Sequence, residues 1–313
     1  MVKRVVILGG AGFIGSHLTH ALIEAGYNVR VFQHPRSSMQ YIRHLPIEVQ
    51  RGDMNDPDAI ISALQNAHTA IHLIHSTVPI SSMQDAAQDV IQNIGGSVRW
   101  LAQLNKTPLQ RLIYFSSGGT VYGNPQTVPI DETHPTEPLS SYGITKLAIE
   151  KYVTMYSHLY NIQPVILRPS NIYGPHQKLN ISQGVIGVML DRAIRGETFE
   201  MWGNGSSLRD YLYIADVAQA VVQLMSYEGN EHIFHLASGN GTTLNELIRL
   251  VNEQTGVSLK ISKRTAMKHA VDANVLSYRR LHHATGWRPH TSLADGVALT
   301  MEWINTIRDH PLG

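Results

Sequence analysis

Tyr142 and Lys146, four residues apart in SSYGITK, have the types and spacing for proton transfer. A free phenol titrates near 10 and acts as a base at neutral pH only if a cation sits beside it. A lysine one helical turn further on lies on the same helix face and supplies that charge. The second chemical feature is LGGAGFIGSH, in which Gly10, Gly12 and Gly15 satisfy G-x-G-x-x-G. Gly9, Gly12 and Gly15 also satisfy the G-x-x-G-x-x-G variant, with Phe13 and Ile14 inside the turn. Glycines there allow a tight turn and bring backbone N–H groups up to a pyrophosphate at a helix N-terminus. A Tyr-x-x-x-Lys alone is a frequent coincidence on a helix, with the Tyr packed and the Lys solvated. The glycine-rich turn and the hydroxyl-rich end of RLIYFSS give it weight.

Such groups must be held by regular elements. Short β-branched runs (VVILGG, VRVFQ, IEVQRGD, AIHLIH, RLIYFSS, PVILRPS) alternate with helical stretches. SHLTHALIEAGY shows helical periodicity and stops at Gly26; residues 85–104 and 142–160 also read as helices. Continuous apolar strands alternating with helices predict a parallel sheet covered on both faces. The fold expected is α/β, a Rossmann-type doubly wound sheet with ligands at the carboxyl ends of its strands. Residues 1–172 form the dinucleotide-binding part in this reading, with 210–236 returning to it. Residues 173–209 and 237–313 form a smaller region for the rest of the substrate.

The second strand ends on Gln33, where an NAD site usually places an acid for the ribose 2′-hydroxyl. Gln33 does not repel a 2′-phosphate, and Arg36 is able to pair with one unless it is simply a solvated loop residue. The cofactor is therefore read as NAD or NADP, with NADP mildly favoured by these two residues. Asp53, in RGDMND, either accepts a bond from the adenine amine or caps the next helix with Asp56.

GGAGFIG, SSGGTVYG, Tyr142-x-x-x-Lys146, QNIGGS, LRPSNIYGP, GNGSSLRDYLYIADVA and ATGWRPHTSLADGV occur here in one order over nearly the whole chain. In this the chain resembles the extended short-chain dehydrogenase/reductases, and among them the nucleotide-sugar epimerases of the UDP-glucose 4-epimerase type. The resemblance implies cofactor contacts at Asp53, Met54, Leu73, Ile74, Asn93, Ser116 and Pro169 as well as the glycine turn. It implies that Tyr142 exchanges a proton with a sugar hydroxyl and that Lys146 also holds the nicotinamide ribose. Asn171 and Arg209 are implied on the diphosphate of a nucleotide sugar. Arg264 is a weaker second clamp, because the family's Arg-x-x-Asp pattern is eroded to MKHAVDANVL. A homodimer through the helices at 85–104 and 142–160 is likewise implied, as is NAD if the chain is an epimerase.

The family usually places Ser or Thr where this chain has Gly118, and its 4,6-dehydratases place Asp–Glu at the next two positions. Those are Gly119 and Thr120 here. Dehydration needs an acid and a base, and neither residue is either at neutral pH, so a dehydratase is disfavoured. Ser117 is the first candidate for the hydroxyl assisting Tyr142, with Thr120 second; Gly118 leaves backbone or space for the sugar. His75 reaches the sugar or cofactor, or is a packed histidine satisfied by backbone. The reaction expected is 4-epimerisation of a UDP-hexose or UDP-N-acetylhexosamine; the alternative is NADPH-dependent reduction of a nucleotide-linked 4-keto-6-deoxy sugar.

Composition agrees by exclusion. With 313 residues, 43% hydrophobic, the chain has ample core, and a net charge of +1 without any Lys/Arg run gives no nucleic-acid footprint. The 17 His are scattered and there is no Cys, so no metal is expected. MVKRVVILGG is too short in apolar residues for a signal-peptide core, and no run spans a bilayer, so a cytoplasmic protein is expected.

Overall fold

The computed structural model describes residues 3–179, 184–265 and 271–309. The chain opens with β1 (Arg4–Leu8), α1 (Phe13–Glu24), β2 (Asn28–Gln33), β3 (Glu48–Arg51), α2 (Pro57–Ala63) and β4 (Thr69–His72). Short helices α3 (Pro79–Ser82), α4 (Ala86–Asp89) and α5 (Gly96–Leu101) lead to β5 (Arg111–Phe115), α6 (Ser141–Leu159) and β6 (Gln163–Pro169). There follow β7 (Asn171–Tyr173), α7 (Val185–Arg195), β8 (Thr198–Trp202), β9 (Leu208–Tyr213), α8 (Ile214–Leu224) and β10 (Ile233–Leu236). The chain ends with β11 (Gly241–Thr243), α9 (Leu244–Thr255), β12 (Lys260–Arg264), β13 (Ala273–Asn274), α10 (Arg279–Thr285) and α11 (Leu293–Asp309).

A seven-stranded sheet has the order β3-β2-β1-β4-β5-β6-β10, so the chain reverses direction of travel between β1 and β4. Pairings from β3 through β6 are parallel, the doubly wound arrangement expected from the apolar runs. Every residue of β4 and β5 is buried, as a sheet covered on both faces requires. The reversal puts the β1–α1 turn and the ends of β4 and β5 at one crevice.

The chain divides into two compact units. The first comprises Met1–Val121, Pro138–Arg168 and Val221–Phe234; the second comprises Tyr122–Glu137, Pro169–Ala220 and His235–Gly313. In the first, Leu8, Phe32, Trp100, Leu112, Ile149 and Val153 share one apolar core. Burying side chains of this size contributes about 1.5–3 kcal/mol each. In the second, β9 carries β7, β11 and β13, and β8 pairs in parallel with β12. Asp210, wholly buried on β9, accepts bonds from the Ser238, Gly239 and Leu276 amides and so fixes the loops beside it.

Residues 85–104, expected as one helix, are broken. After α4 the backbone winds as a π-helix over Val90–Gly95 before α5 resumes. Gly95 and Gly96 weaken the α-helix here, and Gly96 lets the segment approach Met54 and Asn55. Single π turns of this kind occur mostly beside functional sites. Among the described residues, no helix is long and apolar enough to cross a membrane.

Candidate active site

The first unit assembles the proton-transfer pair. Ser140 caps α6 by accepting from the Gly143 amide, and the buried face of the helix then runs through Thr145, Lys146, Ile149, Glu150 and Val153. A Cβ at Gly143 would lie 2.6 Å from the Thr120 carbonyl oxygen, so only glycine lets α6 start against the SSGGT loop. Lys146 is 3% exposed and donates from Nζ to the Phe115 carbonyl at the end of β5, 2.8 Å away. The same ammonium lies 5.6 Å from the centre of the Tyr142 ring and 5.3 Å from that of Tyr114.

The electrostatics pull in opposite directions. Burial lowers the Lys146 ammonium to about 7, and the carboxylates of Glu150 and Asp89 keep it from falling further. Burial raises the Tyr142 phenol above its ordinary value, and the Asp89 charge adds to that. A phenolate at Tyr142 thus depends on the Lys146 cation, and that cation depends on carboxylates beneath it.

Two buried acids surround the pair, and the sequence reading named neither. Glu150, one turn beyond Lys146, accepts from Arg168 at 2.9 and 2.6 Å and from the Ser116 hydroxyl. Asp89 accepts from Thr77, Asn93, Ser141 and Thr145, at 2.5, 2.8, 2.7 and 3.3 Å. The i, i+4 spacing of Tyr142, Lys146 and Glu150 was available as a signal. Asp89 gave none, because its partners come from three separate stretches.

The expected hydroxyls are arranged unevenly. Ser116 donates its hydroxyl proton to Glu150 at the end of β5, which leaves only its acceptor side for a cofactor. Ser117 is half-buried, with no side-chain hydrogen bond among the described residues, and the Thr120 hydroxyl is buried without a partner among them. A Cβ built on Gly119 meets nothing closer than the Ser117 hydroxyl, 4.0 Å away, so open space lies over this turn.

The β1–α1 turn fits a dinucleotide. A Cβ at Gly15 would lie 2.3 Å from the Gly9 carbonyl oxygen, which forces glycine where α1 packs on the turn. Gly12 caps α1 with no side-chain hydrogen bond, leaving the first-turn amides around Phe13 and Ile14 to an anion. Leu73 and Ile74 flank Gly9, and Met54 is buried under Gly96. Gln33 accepts from the Ala11 amide and donates to the Ser37 hydroxyl, so its amide ties this turn to the loop after β2. Arg36 is exposed, as is Asp53, whose Oδ1 accepts from Asn55; the α2 cap is Asp56. Asn93 is saturated by Ser76, Thr77 and Asp89, so it braces the β4 loop.

In the second unit Pro169 is buried at the end of β6, and Asn171 donates to the Asp210 carbonyl at 2.9 Å. Arg209 does not pair with Asp210; its guanidinium donates to the Leu208 and Val271 carbonyls at 2.9 and 2.7 Å. Arg264 stands on β12 in an exposed ion pair with Glu200 at 2.6 Å, and a phosphate would have to displace that partner. Of the eroded segment, Met267 to Ala270 lie outside the described residues.

The profile of the NAD dependent epimerase/dehydratase family matches residues 5–237. The chain belongs to this family. Similar solved structures include the Thermotoga maritima UDP-glucose 4-epimerase with UDP-glucose, at 32% identity and a TM-score of 0.92, covering 98% of this chain and 100% of that one. The Thermus thermophilus UDP-glucose 4-epimerase complex with NAD gives 28%, a TM-score of 0.90, and coverage of 97% and 99%. Among relatives, the dTDP-4-dehydro-6-deoxyglucose reductase of Escherichia coli is 31% identical over 94% of this chain and 95% of its own. The resemblance read from the motifs is therefore the true family, and family membership makes NAD the dinucleotide for the turn. This corrects the mild preference for NADP drawn from Gln33 and Arg36: Gln33 is held by Ala11 and Ser37, and NAD is the cofactor expected of an epimerase.

Proposed function

We propose that this chain is a UDP-hexose or UDP-N-acetylhexosamine 4-epimerase. The observation carrying the reading is the half-buried Tyr142 set beside the buried Lys146, in a chain that matches UDP-glucose 4-epimerases over nearly its whole length. Tyr142, as phenolate, removes the proton of the 4-hydroxyl, holds it as a neutral phenol and returns it; Lys146 stabilises the phenolate before the first transfer and after the second. NAD, when bound, supplies the redox chemistry at the sugar carbon. The first unit holds the dinucleotide, and Asn171 and Arg209 of the second hold the diphosphate. Ser117 assists Tyr142, with Thr120 behind it, and the space over Gly119 suits a substituent larger than hydroxyl.

The test is incubation with UDP-glucose and UDP-N-acetylglucosamine under catalytic NAD, followed by NMR of the sugar. Formation of the C4 epimer is expected. The Escherichia coli relative favours a second reading, reduction of a dTDP-linked 4-keto-6-deoxy sugar. Stoichiometric NADPH consumption with that substrate, and no UDP-hexose conversion, would replace the first reading with the second.

The protein is further proposed to be a homodimer. Ile144, Met155 and Leu159 are 51%, 48% and 63% exposed along α6, and Ile80, Met83 and Ile91 are exposed on the segments before it. Grouped apolar exposure of this kind marks an association surface. The double substitution Met155→Glu, Leu159→Glu should halve the mass seen by light scattering; an unchanged mass would count against this surface.

A further inference from the structure

His75, which follows β4, lies against the proton-transfer pair without belonging to it. Its side chain is 6% exposed, and its ring meets Tyr142 edge-on with centroids 4.8 Å apart. Neither ring nitrogen has a hydrogen-bond partner among the described residues. Leaving a buried polar atom unpaired costs about 1–3 kcal/mol, and native proteins retain such atoms mostly where a ligand or solvent completes them. A carboxylate faces the ring: Asp89 Oδ1 is 3.9 Å from His75 Nε2. The two nitrogens are thus inequivalent. Nε2 faces the Asp89 carboxylate at a distance too long for a hydrogen bond, and that negative charge favours the proton on Nε2, which leaves Nδ1 as the acceptor.

Resting on the epimerase reading, we propose that His75 is a substrate-binding residue. Its Nδ1 accepts a hydrogen bond from a ring hydroxyl of the hexose beside Tyr142, and Asp89 is a positioning residue that keeps the Nε2–H tautomer. Other surroundings agree. Burial, with the Lys146 charge, holds the imidazole neutral, the state in which Nδ1 has a lone pair to offer. Asp89 is itself anchored by Thr77, Asn93, Ser141 and Thr145, so its carboxylate is fixed in place. Gly118 brings no side chain to the sugar, and His75 adds one hydrogen-bonding group beside Tyr142.

The test compares binding of UDP-glucose with binding of UDP by calorimetry, on NAD-loaded wild type and on His75→Phe, His75→Asn and Asp89→Asn. His75→Phe keeps a ring against Tyr142 and removes both nitrogens. It should weaken UDP-glucose about tenfold, leave UDP unchanged, and lower kcat/KM by a similar or larger factor. His75→Asn carries an amide oxygen near the Nδ1 position and should recover most of the loss, while Asp89→Asn should show an intermediate loss. A His75→Phe enzyme with the wild-type ratio of UDP-glucose to UDP affinity and wild-type turnover overturns the assignment alone. Loss of NAD from His75→Phe also overturns it, by moving the residue to the cofactor. Wild type that neither binds nor epimerises a UDP-hexose instead removes the epimerase reading, and the role of His75 with it.

Discussion

Tyr142→Phe is expected to lower kcat for UDP-hexose epimerisation by about 10²–10⁴-fold, the range for a positioned acid–base group. The ring survives, with its edge contact to His75 and its place near Lys146. NAD content and the unfolding midpoint should therefore stay close to wild type, because only the hydroxyl is lost. The expected effect falls on kcat more than KM, since that oxygen acts as charge moves and adds little to binding the remote nucleotide. Single-turnover measurement on NAD-loaded enzyme separates the chemical step from product release. Wild-type turnover from Tyr142→Phe would dismiss the proton-transfer role and leave the pair a packing motif.

What the sequence made legible follows from distance along the chain. The sheet was readable because each strand announces itself by a short apolar run, and the glycine turn because its chemistry is confined to seven residues. Tyr142 and Lys146 were readable for the same reason, being one helical turn apart. Asp89 was not: its importance comes from donors at 77, 93, 141 and 145, which only the fold brings together. The break in the helix after α4 belongs to the same class, since the packing of Gly96 on Met54 is a tertiary fact. Ser116 ends a strand at the crevice, but the turn of its hydroxyl toward Glu150 is visible only in the fold. His75 stood open between sugar contact and packed core, and the absence of backbone partners at both its nitrogens among the described residues favours the first.

Glu150→Gln is expected to damage stability and catalysis together, through two different neighbours. Arg168 is 2% exposed and Glu150 1%, so neutralising the acid leaves a buried guanidinium without its counter-charge. Breaking such a pair costs about 3–5 kcal/mol; the amide oxygen still accepts one bond, which places the expected loss near the lower end. The other neighbour is Lys146, whose proton Glu150 helps to hold. With that charge gone the ammonium falls below about 7. Tyr142 needs the cation, so the alkaline limb of the kcat profile should move to lower pH by a measurable fraction of a unit or more. The linkage has a definite sign. Lys146 binds its proton less tightly folded than unfolded, so between about 7 and 10.5 the unfolded chain carries the extra proton and stability from this group rises with pH. Below about 7 its burial cost is present in full. In Glu150→Gln that window extends further to the acid side, and denaturant titrations just below about pH 7 should show stability already rising with pH where the wild-type contribution from Lys146 is still flat. A variant that loses stability while keeping the wild-type alkaline limb would confine Glu150 to Arg168 and leave the Lys146 charge to Asp89.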